Sequence, residues 1–311
     1  MPAHDIMTPK VFIIVLNWNG SYDTIECVES LKKLKYPDYK ILLVDNGSTD
    51  DSVVVLSKRF PDIDIIETKR NLGFAGGANF GMRRALNSGA EYVLLLNNDT
   101  VVAPDLLDGL IRAAEEDKKA GLLCSKVYFY DRPDVIWYAG GTFYPWLGWG
   151  RHRGYNLRDN GRFDRVEETG RPCGCSIMAT REFCEKAGLL DEEYFCYCED
   201  LDWGMRAEKL GFKVLYVPHS KVWHKVSKAT EGSRMTIPLY YSIRNTLRCV
   251  DKNNPLPFIL RHIRYLTIAI ACLLSLFTMK IPKVSGAKRI YEGIRDYFQE
   301  RFGEFVGRGD L

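Results

Sequence analysis

Ile41-Leu42-Leu43-Val44-Asp45-Asn46-Gly47-Ser48-Thr49-Asp50-Asp51-Ser52 is the stretch that decides the fold. Four apolar residues run straight into a polar turn, the signature of a buried strand. Ser48 to Phe60 then predicts a helix, with Ser48, Thr49 or Asp50 as its cap. The same grammar recurs on both sides. Val11–Leu16 ends at Asn17-Trp18-Asn19-Gly20, and Ile25, Val28, Leu31 and Leu34 follow at helical spacing. Ile63–Glu67 reads as a strand, Gly73–Leu86 as a glycine-opened helix, and Tyr92–Leu96 as a strand ending at Asn97-Asn98-Asp99. Repeated strand–helix units predict an α/β fold with a mainly parallel sheet. Such sheets bind ligands outside the carboxyl ends of their strands, which is where these polar clusters fall.

The 311 residues are 46% hydrophobic and 27% charged, which excludes a disordered chain, collagen and a pure coiled coil. The net charge is +3, unevenly spread: from Arg244 onward 12 Lys/Arg face 6 Asp/Glu, so residues 1–243 carry −3. An acidic body with a basic tail speaks against nucleic acid and for an anionic lipid surface. Nine cysteines follow a start without an apolar signal core, so free thiols in a reducing cytoplasm are expected. Cys173/Cys175 and Cys196/Cys198 are C-x-C pairs and lack zinc-ribbon spacing.

Residues 124–172 are rich in aromatic residues and glycine, and Arg151-His152-Arg153 and Arg158–Asp164 read as exposed loop. A helix at Thr180–Gly188 and a strand at Lys213–Val217 follow. Tyr265–Met279 is an uncharged, mostly apolar run flanked by Arg261, Arg264, Lys280 and Lys283. It falls short of the roughly 20 residues of a simple span. An interfacial or re-entrant helix, or a dimer or core helix, suits it better.

Several clusters carry chemistry. Asp45 at a strand end has the means to accept the imide N–H of a uracil or thymine; the same residues suit a polar turn. Residues 69–81 open a helix with small residues, which lets backbone approach a ligand and offers a pyrophosphate the helix N-terminus. Asn97-Asn98-Asp99 places a carboxylate after a buried strand, suited to Mg²⁺ or Mn²⁺ on a diphosphate. Glu199, Asp200 and Asp202 stand beside Trp203 and Arg206; adjacent acids raise one another's pKa, and a poised carboxylate takes a proton from an attacking hydroxyl. An acidic helix start reads the same way. His219 and His224 flank the end of the last strand, with His224 the better metal ligand.

VDNGSTDDS (44–52), NLGFAGGANFG (71–81), LLLNNDT (94–100) and the stretch from Leu189 to His224 together resemble the family 2 glycosyltransferases of the GT-A fold, and most of all the rhamnosyltransferase-like subgroup that builds polysaccharides and cell-surface glycans. The resemblance covers about residues 10 to 250. It implies inverting transfer from a UDP- or dTDP-sugar, with dTDP-rhamnose favoured, to a glycan or lipid-linked glycan. Asp45 would read the base, and Asn19, Asn71, Gly73 and Asn79 would line the donor pocket. Asn97, Asn98 and Asp99 stand where the family has Asp-x-Asp, so Asp99 would carry most of the binding of Mg²⁺ or Mn²⁺. His224 would add a ligand, Asp200 would be the general base, and Glu199 and Trp203 would shape the acceptor or sugar pocket. The processive members' Gln-x-x-Arg-Trp is absent after residue 224; Tyr240-Tyr241-Ser242-Ile243-Arg244-Asn245 stands there, which implies addition of one or a few sugars.

The expected organisation is a catalytic domain over residues 1–243, with a donor half at about 10–123 and an acceptor half at about 124–243, and a helical tail over 244–311. The tail is expected to hold the protein on the inner face of the plasma membrane or to pair it as a homodimer. A nucleotidyltransferase would need a basic, glycine-rich loop after the first strand, where Asn17–Ser21 stands instead. A catalytically weak scaffold that binds glycans or nucleotide sugars is the second rival.

Overall fold

The computed structural model describes residues 8–226, 236–277 and 282–305. Strand–helix units open the chain: β1 (Val11–Asn17), α1 (Ser21–Leu31), β2 (Tyr39–Asp45), α2 (Ser52–Arg59), β3 (Asp64–Glu67), α3 (Gly73–Asn87) and β4 (Tyr92–Asn97). β1 pairs in parallel with β2 and with β4, and β2 with β3. β5 (Thr100–Val102), α4 (Leu106–Glu116) and β6 (Ala120–Phe129) follow. After them the chain turns mixed, with β7 (Ile136–Tyr138), the hairpin β8 (Gly141–Tyr144) and β9 (Trp149–His152), β10 (Glu167–Glu168), β11 (Ser176–Thr180), α5 (Arg181–Ala187), α6 (Glu199–Lys209) and β12 (Lys213–His224). The sheet runs β10-β12-β6-β11-β4-β1-β2-β3, with β11 antiparallel to both neighbours. Its central strands are apolar on both faces, so each face buries a core: Val11, Ile13 and Val15 against α1 and α4, and Phe12 and Ile14 against α3. The result is the GT-A architecture, a mixed, mainly parallel sheet flanked by helices.

Local chemistry explains where expectations shift. α2 starts at Ser52, not Ser48, because Ser48 and Thr49 turn back to Asp45 and Asn19. α5 matches its expected span, with the Thr180 hydroxyl accepting from Phe183 N and Gly188 at φ +74. β12 continues past Val217 to His224, because a register shift between Val217 and Lys221 absorbs Pro218. Arg151 and His152 lie on β9 and are not loop. Asp159 and Asp164 pair with the fully buried Lys126 ammonium at 2.5 and 2.6 Å, so that segment is held down by charge. All nine cysteines are free thiols, and the Cys173 and Cys175 sulfurs lie 3.3 Å apart.

Three further helices close the chain: α7 (Ile237–Asn253), α8 (Phe258–Ser275) and α9 (Lys283–Phe298). The expected division after residue 243 falls inside α7, and that between donor and acceptor halves inside β6. α7, α8 and α9 share a small core around Ile243, Leu247, Ile268 and Ile290. α8 is long and apolar enough to cross a membrane by length and composition. Phe258, Ile259, Leu266 and Leu274 on it are exposed. The end of the expected apolar run, Thr278 and Met279, and the flanking Lys280 lie outside the described residues.

Candidate active site

One cleft of about 880 Å³ gathers Trp18, Asn71, Gly73, Asn97, Asn98 and Asp99 with Glu199, Asp200 and His224. The strand ends build its first wall. β1 and β4 run side by side, with Leu16 opposite Asn97, so the turn after β4 emerges beside the turn after β1. The Asn98 amide donates to Thr24 Oγ1 at 2.9 Å, which fixes the turn on α1. Asn97 Oδ1 is buried and has no protein partner.

His224 reaches this turn through the extended β12. Its register partner is Thr100 on β5, which brings His224 Nε2 to 3.1 Å from Asp99 Oδ1. Trp137 packs edge-on against the imidazole at 5.1 Å. A carboxylate oxygen, an imidazole nitrogen and the unpartnered Asn97 oxygen nearby fit a divalent cation that takes its other oxygens from a diphosphate and water. Among the described residues no group of three or more His, Cys, Asp or Glu forms a metal site.

The second wall is the start of α6. Phe195, Tyr197 and Cys198 all have positive φ, at 64, 67 and 71°, a region costly for side-chain-bearing residues. The chain bends sharply there and presents Glu199 and Asp200 at the cleft. Gly174 N donates to Asp200 Oδ2 at 2.8 Å and Leu201 N to Oδ1 at 2.7 Å. A Cβ on Gly174 would stand 3.2 Å from that Oδ2, so a side chain there would crowd the carboxylate. Glu199 is 6% exposed and its Oε2 has no partner. Burial, then the Asp200 charge, push the Glu199 carboxyl up to about 8. Burial raises Asp200 too, opposed by the Arg171 guanidinium and by the Gly174 and Leu201 N–H groups. Burial thus favours the protonated form of both acids, and the Arg171 guanidinium and two N–H groups favour the anion on Asp200.

Four expected site residues are not among those that line this cleft. Trp203 is fully buried; its Nε1 donates to Gly188 O and its ring packs on Phe183, because position 203 faces the core side of α6. Asn79 is buried and binds Leu190 O and Leu190 N, stapling α3 to the segment after α5. Asp45 is 2% exposed, with Asn17 Nδ2, Ser48 Oγ and Ser48 N all donating to it. Asn19, at φ 50, accepts from Thr49 N at 2.8 Å and so shapes the turn beyond Asp45. The N-terminus of α3 is partly occupied by the chain itself. Gly73 N donates to Asn71 Oδ1 and Ala75 N to Phe195 O, while Gly77 and Gly81 admit Leu16 and Ile14 of the sheet.

The sequence reading missed a clamp. Arg244, fully buried, donates to Tyr194 O at 3.1 Å and to Gly303 O at 2.8 Å. Asn245 Nδ2 lies 2.9, 2.7 and 2.9 Å from the carbonyls of Tyr194, Cys196 and Tyr197. Two neighbours on α7 thus hold the bend before Glu199. It also missed Arg171, His152 and Trp137, which line the cleft. Arg171-Pro172-Cys173-Gly174-Cys175 was visible only as a C-x-C pair.

Residues 12–186 match the family described as Glycosyl transferase family 2. The N-acetylglucosaminyl-diphospho-decaprenol L-rhamnosyltransferase of Mycobacterium tuberculosis is 30% identical over 247 residues, 72% of this chain and 78% of the relative. The dTDP-rhamnosyl transferase RfbF of Shigella flexneri is 23% identical over 266 residues, 80% and 82%. Among solved structures, the mannosyltransferase PcManGT of Pyrobaculum calidifontis, in complex with GDP-Man and Mn²⁺, superposes with a TM-score of 0.61 at 15% identity, covering 95% of this chain and 89% of that one. The chain belongs to glycosyl transferase family 2: it is a glycosyltransferase of the GT-A fold that draws its sugar from a nucleotide sugar.

Proposed function

We propose that the enzyme transfers one or a few sugars, with inversion, from a dTDP- or UDP-sugar to a hydroxyl of a glycan or lipid-linked glycan, using Mg²⁺ or Mn²⁺. The observation that carries this is the meeting of Glu199 and Asp200 with the 97–99 turn in one cleft. dTDP-rhamnose is the first donor to test, since both relatives named above are rhamnosyltransferases.

The donor diphosphate lies against Asn97, Asn98 and Asp99, with Asn71 and Trp18 toward the nucleotide. Asp99 and His224 would hold the ion, which when bound stabilises charge on the leaving diphosphate as a Lewis acid. Asp200 takes the proton from the acceptor hydroxyl. Each of its oxygens already accepts one backbone N–H, and each keeps a second acceptor site. The Arg171 guanidinium and the two N–H groups favour the anion on Asp200, while Glu199 Oε2 has no partner. One base on the acceptor side suffices for a single displacement, which inverts the anomeric carbon.

α7 belongs with the catalytic unit and α8–α9 form the appendage. The exposed apolar side chains of α8 suit the cytoplasmic face of a membrane, where a lipid-linked acceptor is held. A thermal-shift series with dTDP, UDP, ADP and GDP, each with and without Mn²⁺, tests the reading. A metal-dependent rise with dTDP or UDP is expected. No rise with any nucleotide would favour a scaffold and overturn it.

A further inference from the structure

We propose that a second pocket beside the cleft binds a phosphate or diphosphate group of the acceptor, with Arg171 as its principal cation. The proposal rests on the transferase reading above. The pocket has a volume of about 450 Å³ and is lined by Trp149, Gly150, Arg151, His152, Tyr155 and Arg171, among others. Trp149, Gly150, His152 and Arg171 also line the main cleft, so the two spaces share a wall. Among the described residues no carboxylate lines the second one.

Arg171 is built in place. Its carbonyl accepts from the Tyr138 hydroxyl at 2.8 Å and from Thr169 Oγ1 at 3.2 Å. Its guanidinium rests on β9 where residue 150 has no side chain: a Cβ there would fall 1.9 Å from Arg171 Nη1. Arg151 lines the same pocket as a second cation, whereas several arginines elsewhere in this half of the chain are paired. Arg153 pairs with Glu167, Arg206 with Asp202, Arg248 with Asp191, and Arg244 is filled by carbonyls. Among the described residues no hydrogen bond or ion pair is recorded for the Arg171 guanidinium. A planar fork of donors, fixed at its base and free at its tip, matches the oxygens of a phosphate.

The anion belongs to the acceptor. The donor diphosphate is assigned to the 97–99 turn, whereas Arg171 enters on the segment that continues to Gly174 and its bond with Asp200. That is the side on which the attacking hydroxyl meets its base. Trp149, stacked on Tyr144 at 5.8 Å and 52% exposed, offers a flat apolar face beside the cation, suited to a sugar ring or an alkyl chain.

The test is calorimetric titration of the full chain, first saturated with dTDP and Mg²⁺, using inorganic pyrophosphate and octyl diphosphate as probes. One additional anion should bind. Arg171→Gln should weaken it at least tenfold, Arg171→Lys should recover part of the loss, and Gly150→Ala, which displaces the guanidinium and keeps its charge, should mimic the loss. Tighter binding of octyl diphosphate than of pyrophosphate assigns the site to a lipid-linked phosphate; equal binding assigns it to a soluble one. Absence of a second anion, an Arg171→Gln chain that binds both probes normally, or a loss of dTDP affinity instead, overturns the proposal. Failure of dTDP and UDP to bind the unaltered chain would sink the transferase reading itself, a separate result.

Discussion

The two walls of the cleft are held in different ways. The 97–99 turn is the direct outcome of strand order: β1, β4 and β5 deliver Asn97, Asn98 and Asp99 through ladder register, and one amide bond to Thr24 finishes the job. The bend before Glu199 has no such ladder. It carries three residues at positive φ and is secured by Arg244 and Asn245, about fifty positions downstream. A site on strand ends inherits its precision from the sheet; a site on a strained bend must import it. The two walls should therefore fail differently.

The largest expected effect is at the strained wall. Asp200→Asn should lower transfer by about a thousandfold or more, since it removes the base. A retained nucleotide-dependent rise in melting temperature would show that the other wall is intact, and near-normal turnover would sink the assignment. At the ladder wall, Asp99→Ala should leave the fold alone and weaken metal-dependent dTDP or UDP binding about tenfold or more, measured by titration with and without Mn²⁺. Equal loss in the absence of metal would break the link to the ion.

Asn245→Ala sharpens the contrast, because it touches no substrate. It removes the side-chain amide from the carbonyls of Cys196 and Tyr197 and leaves Tyr194 to Arg244, at a cost of about 1–3 kcal/mol in urea unfolding. It should also lower kcat more than it raises the donor KM. A loss confined to stability would make Asn245 merely structural.

The smallest effect is a pH slope. Glu199 sits near 8 folded against an ordinary 4.5, so the folded chain holds the extra proton across that interval. Stability then falls as pH climbs from the lower value through the upper. Glu199→Gln should flatten the slope, gaining about 1–3 kcal/mol on the native enzyme between about pH 5 and 8.5. Parallel slopes would place the extra proton elsewhere.

The contrast also explains what was legible in the sequence. Strands with turns at their ends are local patterns, so the first hundred residues, the 97–99 turn and the Glu199-Asp200 pair were all readable. Side-chain direction was not. Trp203 and Asn79 lie within recognisable motifs yet face the core, because a helix turns each residue by its own register. Asp45 was read as a base reader or a polar turn, and the bonds it accepts from Asn17 and Ser48 are those of the turn. The expected strand ended at Val217, and only a register shift against β6 carried β12 on to His224. The Arg244–Asn245 clamp was invisible as chemistry, since it works on carbonyls that no local pattern brings near.

That clamp also sets a schedule. The base at position 200 leaves the ribosome some 45 residues before Asn245 does. At about 5–20 residues per second this is an interval of roughly 2–9 s. During it the donor half can already fold, while the bend that aims Asp200 has nothing to hold it. The enzyme is thus assembled with its reactive carboxylate last to be armed, and a nascent chain that stalls in this interval has a formed nucleotide wall without an aimed base.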